Sequence, residues 1–494
     1  MKRKIPHWLP HYACTRPDSI ALEFKDEQWT YQRLYAEVQA IVSGFRRKGI
    51  DHGTRVAVLS SNHPMQIKVY HALMLLGAII VPVNYKLTRE ETRERVDNAG
   101  CQYLCYHPAF ESSIPPDIIP GEIISFEECA SFGQPDPEMG SAQPEITLGD
   151  ICTLFYTSGT TGQPKGVMLT YQNFLMSAMA SALNMGLLPP DNWLACLPLD
   201  HIGGFSIVVR SVIYGTTVTL LEQFDTEVVI KNLAERRVTL ISLVPTMLER
   251  LLSQRKSISH NLRAVLLGGG PADPDLIERS RRSEMPVLRS YGLTETCSQI
   301  ATTPLQNAGS PPEASGRVLP FSTLKILNDK GVECPPGITG EITVSGPTVM
   351  EGYWRNPTAT NSTIIQGWLH TGDHGYLDEE DFLYVVSRRE DLIVTGGENV
   401  SPAEVETVLQ QIPGIQEVCV VGIPDAHWGE AVSAAVVLKP GAALSLQTLR
   451  HMRHDQLAAY KHPKHYILLE SIPRTAMGKP ERFKVRQLIA DSMR

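Results

Sequence analysis

Over roughly its first 300 residues the chain alternates short apolar runs, rich in β-branched residues, with stretches of helical periodicity. The runs are "TRVAVLSS", "AIIVPVN", "TTVTLLEQ", "VTLISLVP" and "RAVLLGGG". Strands that are apolar along their whole length need cover on both faces, and parallel strands need long crossovers that a helix supplies. The alternation therefore predicts an α/β fold of parallel sheets with crossover helices. With 494 residues there is chain for two or three domains and a large core. Residues 107–147, rich in Pro, Glu, Ser and Gly, read as an exposed connection.

From about Ser322 the pattern changes. "TLKIL", the turn "NDKG" and "GEITVSG" predict an antiparallel hairpin on a small β-barrel or sheet. The last hundred residues read as a separate α+β unit. Ser401 can cap a helix opened by Pro402, with Glu404 bonding back to the cap amide. "VCVVGIPD" and "AVSAAVVL" follow as strands, then a helix around Leu446 to Ala458. The polar "SRREDLI" lies between two strand-like runs, as a linker would, and divides the chain into 1–388 and 389–494.

Composition removes several classes of function. A net charge of −8 offers no basic face for a phosphate backbone, so no nucleic-acid partner is expected. The longest apolar run, Ala72–Val83, is too short to span a bilayer and contains Gly77 and Pro82. It reads as a helix end running into a buried strand, without membrane insertion. Met1 to Lys4 is basic, but Pro6, His7, Pro10 and His11 break any signal-peptide core behind it. Nine cysteines without CxxC or Cys/His spacing suggest free thiols in a reducing compartment, the cytoplasm by default. No internal repeat is visible, and a homo-oligomer is left open.

One stretch cannot be core. "YTSGTTGQPKG", residues 156–166, packs hydroxyls, three glycines and one lysine behind the strand-like "ICTLFY". Bare glycine backbone lets several N–H groups converge on an oxyanion. Ser158, Thr160 and Thr161 add hydroxyl donors and Lys165 a point charge, so the loop is read as a phosphate cradle launched from a sheet edge. It is not a Walker A loop, because Pro164 precedes the lysine and Gly166 follows it.

The loop resembles the phosphate loop of the adenylate-forming superfamily, which includes acyl-CoA synthetases, peptide-synthetase adenylation domains and luciferases. "LPLDHIGG", "LLGGGPA", "YGLTET", "HTGD", "SRREDLIVTGGENVSPAEVE" and "PRTAMGKPER" match in the same order, so the resemblance covers nearly the whole chain. It implies a large N-terminal part and a small mobile C-terminal domain. It also implies ATP, Mg²⁺ and coenzyme A as co-reactants of a small-molecule carboxylic acid. The acid attacks the α-phosphate, pyrophosphate leaves, and a thiol then takes the acyl group.

Roles follow from the same resemblance. Thr157, Ser158, Gly159, Thr160, Thr161, Gly162 and Lys165 would cradle the β- and γ-phosphates. Glu295 would hold Mg²⁺ with Thr294 near the α-phosphate. Asp373 would accept the ribose hydroxyls, joined by Arg388. Gly269, Gly270 and Pro271 would wall adenine, with Tyr291 stacking opposite beside Gly292. Lys479 would offset charge that grows between carboxylate and phosphorus. Glu390 falls at the hinge position, where the superfamily commonly has Asp or Lys. Gly396 and Gly397 would face the site after domain rotation and form the pantetheine tunnel.

"LPLDHIGGFSIVVR", "VPTML" and "TETCSQIA" are expected to line the acyl pocket. His201 either packs as an ordinary histidine or gates the carboxylate. Arg210 sits in the apolar helical run "SIVVRSVIYG" and faces either water or a second carboxylate on the substrate. Ser298 and Gln299 supply polar contacts nearby, and Asp200 is placed facing away, bonded to backbone. "LLGGGPADPDLIERSRRSEMPVLRSYGLTETCSQIAT" resembles the superfamily branch that activates o-succinylbenzoate, an aromatic dicarboxylic acid of menaquinone biosynthesis. A fatty- or aryl-acid ligase, and more distantly a non-catalytic nucleotide-binding protein, stand as alternatives. In the tail "RHMRHDQLAAYKHPKH", His451 and His454 have no acidic or thiol partner nearby, so metal binding is not expected. A basic patch meeting the coenzyme A phosphates is left open there.

Overall fold

The computed structural model describes residues 3–118, 121–133, 144–157, 164–254, 260–270, 272–305, 310–387, 392–442, 444–451, 456–474 and 480–493. Two large sheets carry the predicted apolar runs. In the first, the strands Arg55–Leu59, Ile79–Val83, Tyr103–Tyr106, Ile123–Ser125 and Ile151–Thr157 are parallel, and Lys165–Thr170 pairs antiparallel beyond them. In the second, Ile20–Phe24, Asn192–Ala195, Thr217–Leu220, Leu240–Leu243, Ala264–Leu267 and Val287–Leu293 are parallel, with antiparallel strands at both ends. The Ala72–Val83 run resolves as expected. A helix, Pro64–Leu76, stops at Gly77 in the left-handed region and leads into the strand Ile79–Val83.

A third, antiparallel sheet is formed by Thr323–Leu327, Gly340–Ser345, Ile364–Ile365, Trp368–Leu377 and Leu383–Ser387. The C-terminal part builds a fourth sheet from Ile393–Thr395, Glu398–Val400, Ile415–Asp425, Gly429–Leu438 and His465–Leu468. It has its own core, centred on Val405, Leu409, Val420, Val432 and Ala434.

Five local expectations need correction. The 107–147 stretch contains the sheet strand Ile123–Ser125 and a short helix whose Phe126 and Cys129 are buried, because apolar residues in it find the sheet's last free edge. The two strands of the 322–345 hairpin pair as predicted, but "NDKG" is followed by further chain, with Glu333 bridged back to Leu327. Ser401 precedes the helix Pro402–Gln410 without capping it, and Glu404 turns to a lysine instead. The helix near Leu446 is described over Leu446–His451, and Ala458 stands outside it before a 3₁₀ turn. The strand Ile151–Thr157 lies inside its sheet, so the phosphate loop leaves from the end of an interior strand and not from an edge.

Two histidines are buried in the N-terminal core, His7 at 1% and His71 at 2% exposure, and each leaves one ring nitrogen without a hydrogen bond. Burial, with His71 close by, pushes His7 down to about 3, and burial pushes His71 down to about 4. Both stay neutral in the fold while an unfolded chain would protonate them near 6.5. Their contribution to stability is complete above pH 6.5 and is lost as pH falls toward 4 and 3. At ~1.4 kcal/mol per unit, several kcal/mol should disappear between pH 7 and pH 4, read from urea midpoints. His71→Gln should flatten that slope.

Candidate active site

Two adjoining cavities lie where the C-terminal part meets the two large sheets. The larger, about 380 Å³, is lined by His201, Arg210, Ser298 and Gln299 from the N-terminal part and by Gly396, Gly397, Glu398 and Trp428 from the C-terminal part. The smaller, about 100 Å³, is lined by Thr157, Lys165, Glu295, Tyr353, His370 and Asp373. Gly292, Leu293, Thr294 and Asn399 belong to both walls. At Gly292 the paired strand leaves no room for a side chain, since a Cβ there would lie 1.8 Å from the Ser298 carbonyl oxygen.

The smaller cavity gathers cation and carboxylates. Lys165 opens a strand from the far end of the phosphate loop, and its Nζ stands 5.2 Å over the Tyr353 ring. The Tyr353 hydroxyl donates to Glu295 Oε1 at 2.9 Å, which fixes that carboxylate beside Lys165. A single aimed carboxylate suits Mg²⁺, which keeps few protein ligands when phosphate oxygens and water complete its shell. Asp373 is 3% exposed, and its Oδ2 accepts from the Tyr291 hydroxyl at 2.8 Å while its own amide donates to Thr371 Oγ1 at 3.1 Å. Glu341, paired with His370 at 2.8 Å, accepts from the Gly372 amide at 3.0 Å and steadies the same turn.

Tyr291 departs from expectation. Its ring is 2% exposed within an apolar cluster that includes Ile300 and Ala301, and it lines neither cavity. In this arrangement it orients Asp373 and offers no open face for stacking. Gly269 lines the larger cavity, and Gly270 packs against Pro245 and Val394. Ser158, Gly159, Thr160, Thr161, Gly162, Pro271, Arg388, Glu390, His454 and Lys479 lie outside the described residues.

The larger cavity is polar at its mouth and at one buried spot. At the mouth, Glu398 is 4% exposed and gathers three groups of the N-terminal part. Lys86 Nζ lies 2.7 Å from Oε1, His201 Nε2 3.0 Å from Oε2, and Asn84 Nδ2 donates at 3.2 Å to both oxygens. Burial opposes the charge on Glu398, but His201 and Lys86 outweigh it and hold the carboxyl well below its usual range. Burial likewise opposes a charged His201, yet Glu398 and Asp200 raise it to about 9. Asp200 lines neither cavity and bonds its own backbone, as expected. Its Oδ2 stands 3.7 Å from His201 Nε2 without a hydrogen bond of its own, and burial raises its carboxyl.

The buried spot is Arg210, on the helix Ile202–Tyr214. It is 3% exposed, so the wet-face alternative falls. One Nη donates to Ser177 Oγ at 3.1 Å, the guanidinium lies 6.0 Å over the Trp193 ring, and Nε has no partner. Among the described residues no carboxylate pairs with it, and burial pulls its pKa downward. Ser177 also donates to the Cys297 carbonyl at 2.8 Å, tying Arg210 to the left-handed pair Cys297 and Ser298 that bends the chain around the cavity. Gln299 is held by Thr302, which donates to its Oε1 at 3.0 Å.

Asn84, Lys86, Glu398 and Ser177 carried no role in the sequence reading. "VPVNYKLT" ends a buried strand on polar residues, the one local signal available for the first two.

Two sheets meet at a junction that a small α+β part closes, with Lys165, Glu295 and Asp373 gathered there. The chain belongs to the AMP-binding enzyme family, whose model matches residues 9–354, followed by the AMP-binding enzyme C-terminal domain over 404–479. It is 41% identical over 493 residues to 2-succinylbenzoate–CoA ligase of Bacillus cereus, covering 99% of this chain and 100% of that one. A double mutant of o-succinylbenzoate CoA synthetase from Bacillus subtilis, bound with its product analogue OSB-NCoA, superposes with a TM-score of 0.90 at 37% identity, covering 99% and 98% of the two chains. The Bacillus subtilis enzyme in complex with the acyl-adenylate intermediate OSB-AMP superposes at 0.76, again at 37% identity and covering 98% of each chain.

Proposed function

We propose that this chain is an ATP-dependent acid–CoA ligase that converts 2-succinylbenzoate into its CoA thioester, through an acyl-adenylate and with release of pyrophosphate, for menaquinone biosynthesis. The observation that carries the choice of acid is Arg210: a buried cation on the cavity wall without an acidic partner among the described residues. Leaving a charge in that state is costly. The ring carboxylate of 2-succinylbenzoate supplies the missing anion while the succinyl carboxylate reaches Thr294, where the two cavities meet. A fatty acid or simple benzoate would leave Arg210 unpaired.

Adenylation then depends on positioning and electrostatics more than on covalent help. Glu295 would hold Mg²⁺, which supplies charge neutralisation on the phosphates. Asp373 receives the ribose hydroxyls in the orientation set by Tyr291 and Thr371. Lys165 and the loop Thr157–Gly162 cradle the leaving pyrophosphate, and Lys479 meets the growing charge at phosphorus. Coenzyme A reaches the acyl carbon past Gly396, Gly397 and Trp428. The division into 1–388 and 389–494, a hinge at Glu390 and a cytoplasmic location complete the reading. The closer superposition on the product-analogue complex supports a second-step arrangement, because the two Bacillus subtilis structures differ little in sequence and coverage.

The test is pyrophosphate release with ATP and Mg²⁺ across 2-succinylbenzoate, benzoate and a medium-chain fatty acid, followed by thioester formation on adding CoA. Release with 2-succinylbenzoate well above the others is expected, and release without preference removes the choice of acid. Tyr291→Phe should raise the KM for ATP about fivefold with little change in kcat, since one hydrogen bond of ~1 kcal/mol orients Asp373.

A further inference from the structure

Lys461 belongs to the histidine-rich tail segment, and the chemistry above makes no use of it. It is 1% exposed and lines neither cavity of the site. Its Nζ bonds Glu404 Oε1 at 2.6 Å inside the C-terminal part. It also bonds Glu91 Oε1, on the helix Arg89–Ala99 of the N-terminal part. Glu91 is itself fixed, because its Oε2 accepts from the Thr88 amide at 2.8 Å in a capping box. Glu90, Glu94, Asp97 and Glu404 line a third cavity beside this junction, so the cation is set against an acidic wall.

We propose that Lys461 is a positioning residue for thioester formation: by bridging Glu404 to Glu91 it fixes the C-terminal part where the Gly396–Gly397–Glu398 turn closes on the acyl cavity. The proposal rests on the ligase reading. A lysine between the buried Glu91 and the largely covered Glu404 ties the two parts together, because losing it would leave two like charges facing each other with little water between them. The pairing is also built to release. Glu404 and Lys461 lie on the same part, so when that part turns to bring Lys479 to the site the lysine keeps one carboxylate. Glu91 keeps its cap bond and meets water. Neither state strands an ion, and the contact favours the second-step arrangement alone.

The experiment separates the two half-reactions. Pyrophosphate release from ATP and 2-succinylbenzoate is measured without CoA, and thioester formation is measured from supplied acyl-adenylate and CoA. Glu91→Gln keeps an oxygen for the Thr88 amide and leaves the Lys461–Glu404 pair whole. It is expected to hold pyrophosphate release within about twofold and to slow thioester formation by roughly tenfold or more. Lys461→Met should show the same split, and the double variant should be no slower than Lys461→Met alone, as expected of two partners in one contact. Equal loss in both half-reactions, loss of the first alone, or no loss in either overturns the proposal. Absence of pyrophosphate release from the parent protein with every acid overturns the ligase reading and this inference with it.

Discussion

Arg210→Leu is expected to lower kcat/KM for 2-succinylbenzoate by about two orders of magnitude while leaving the fold intact. Removing one partner of a buried, hydrogen-bonded charge pair costs about 3–5 kcal/mol, and ~1.4 kcal/mol is tenfold. Part of that is returned, because the free enzyme no longer carries a desolvated guanidinium with an unpaired Nε. Leucine also fills most of the space against Trp193, so the apolar face of the cavity survives. The contrast lies in the second acid. 4-Oxo-4-phenylbutanoate lacks the ring carboxylate, and the variant should use it as well as the parent does, or better. Measuring kcat/KM for both acids with both proteins decides the matter. An equal fall for both would mean that Arg210 holds the wall in place and does not read the substrate.

Glu398→Gln is expected to slow thioester formation about thirtyfold and to leave acyl-adenylate formation nearly unchanged. The carboxylate joins Lys86, His201 and Asn84 across the junction of the two parts, and the neutral amide keeps an acceptor for only one of the two cations while losing its own charge. Lys86 and His201 are each more than a third exposed, so water recovers much of the loss and about 2 kcal/mol remains. The pH dependence carries a sign of its own. His201 is raised to about 9 beside Glu398, against an ordinary value of 6.5. Its help in holding this arrangement is complete below pH 6.5 and is lost as pH rises through 9. Thioester formation by the parent should therefore decline on the alkaline side near 9. In the variant that limb should move toward neutrality, which single-turnover rates against pH would show.

Several strands of both parallel sheets were legible because their apolar runs are bounded by turn residues, whereas Ile20–Phe24, Tyr103–Tyr106, Ile123–Ser125 and Asn192–Ala195 were not. Leu240–Leu243 and Ala264–Leu267 stand where "VTLISLVP" and "RAVLLGGG" put them. Ser298 and Gln299 came from their proximity to a recognisable motif, and both line the cavity. What stayed hidden was any feature made by two distant segments. Arg210 had two equally good readings until the packing of its helix against Trp193 and Ser177 chose between them. Glu398 lay inside a quoted motif without a role, since its partners Asn84 and Lys86 sit more than three hundred positions away. Tyr291 has the right chemistry to stack on a base, yet burial turned it into a support for Asp373. Ser401 shows the converse: a sound local capping signal lost when Glu404 found a stronger charged partner in Lys461.

Thr294 and Asn399 form a partition common to both chambers. One consequence is that the acyl carbon need not migrate between its activation and its capture. In the proposed reaction the small compartment would deliver phosphorus from one side and the large one admit sulfur from the other, so the bond being remade would stay at a single address. In the proposed cycle what would travel is therefore protein, while the intermediate would keep its place.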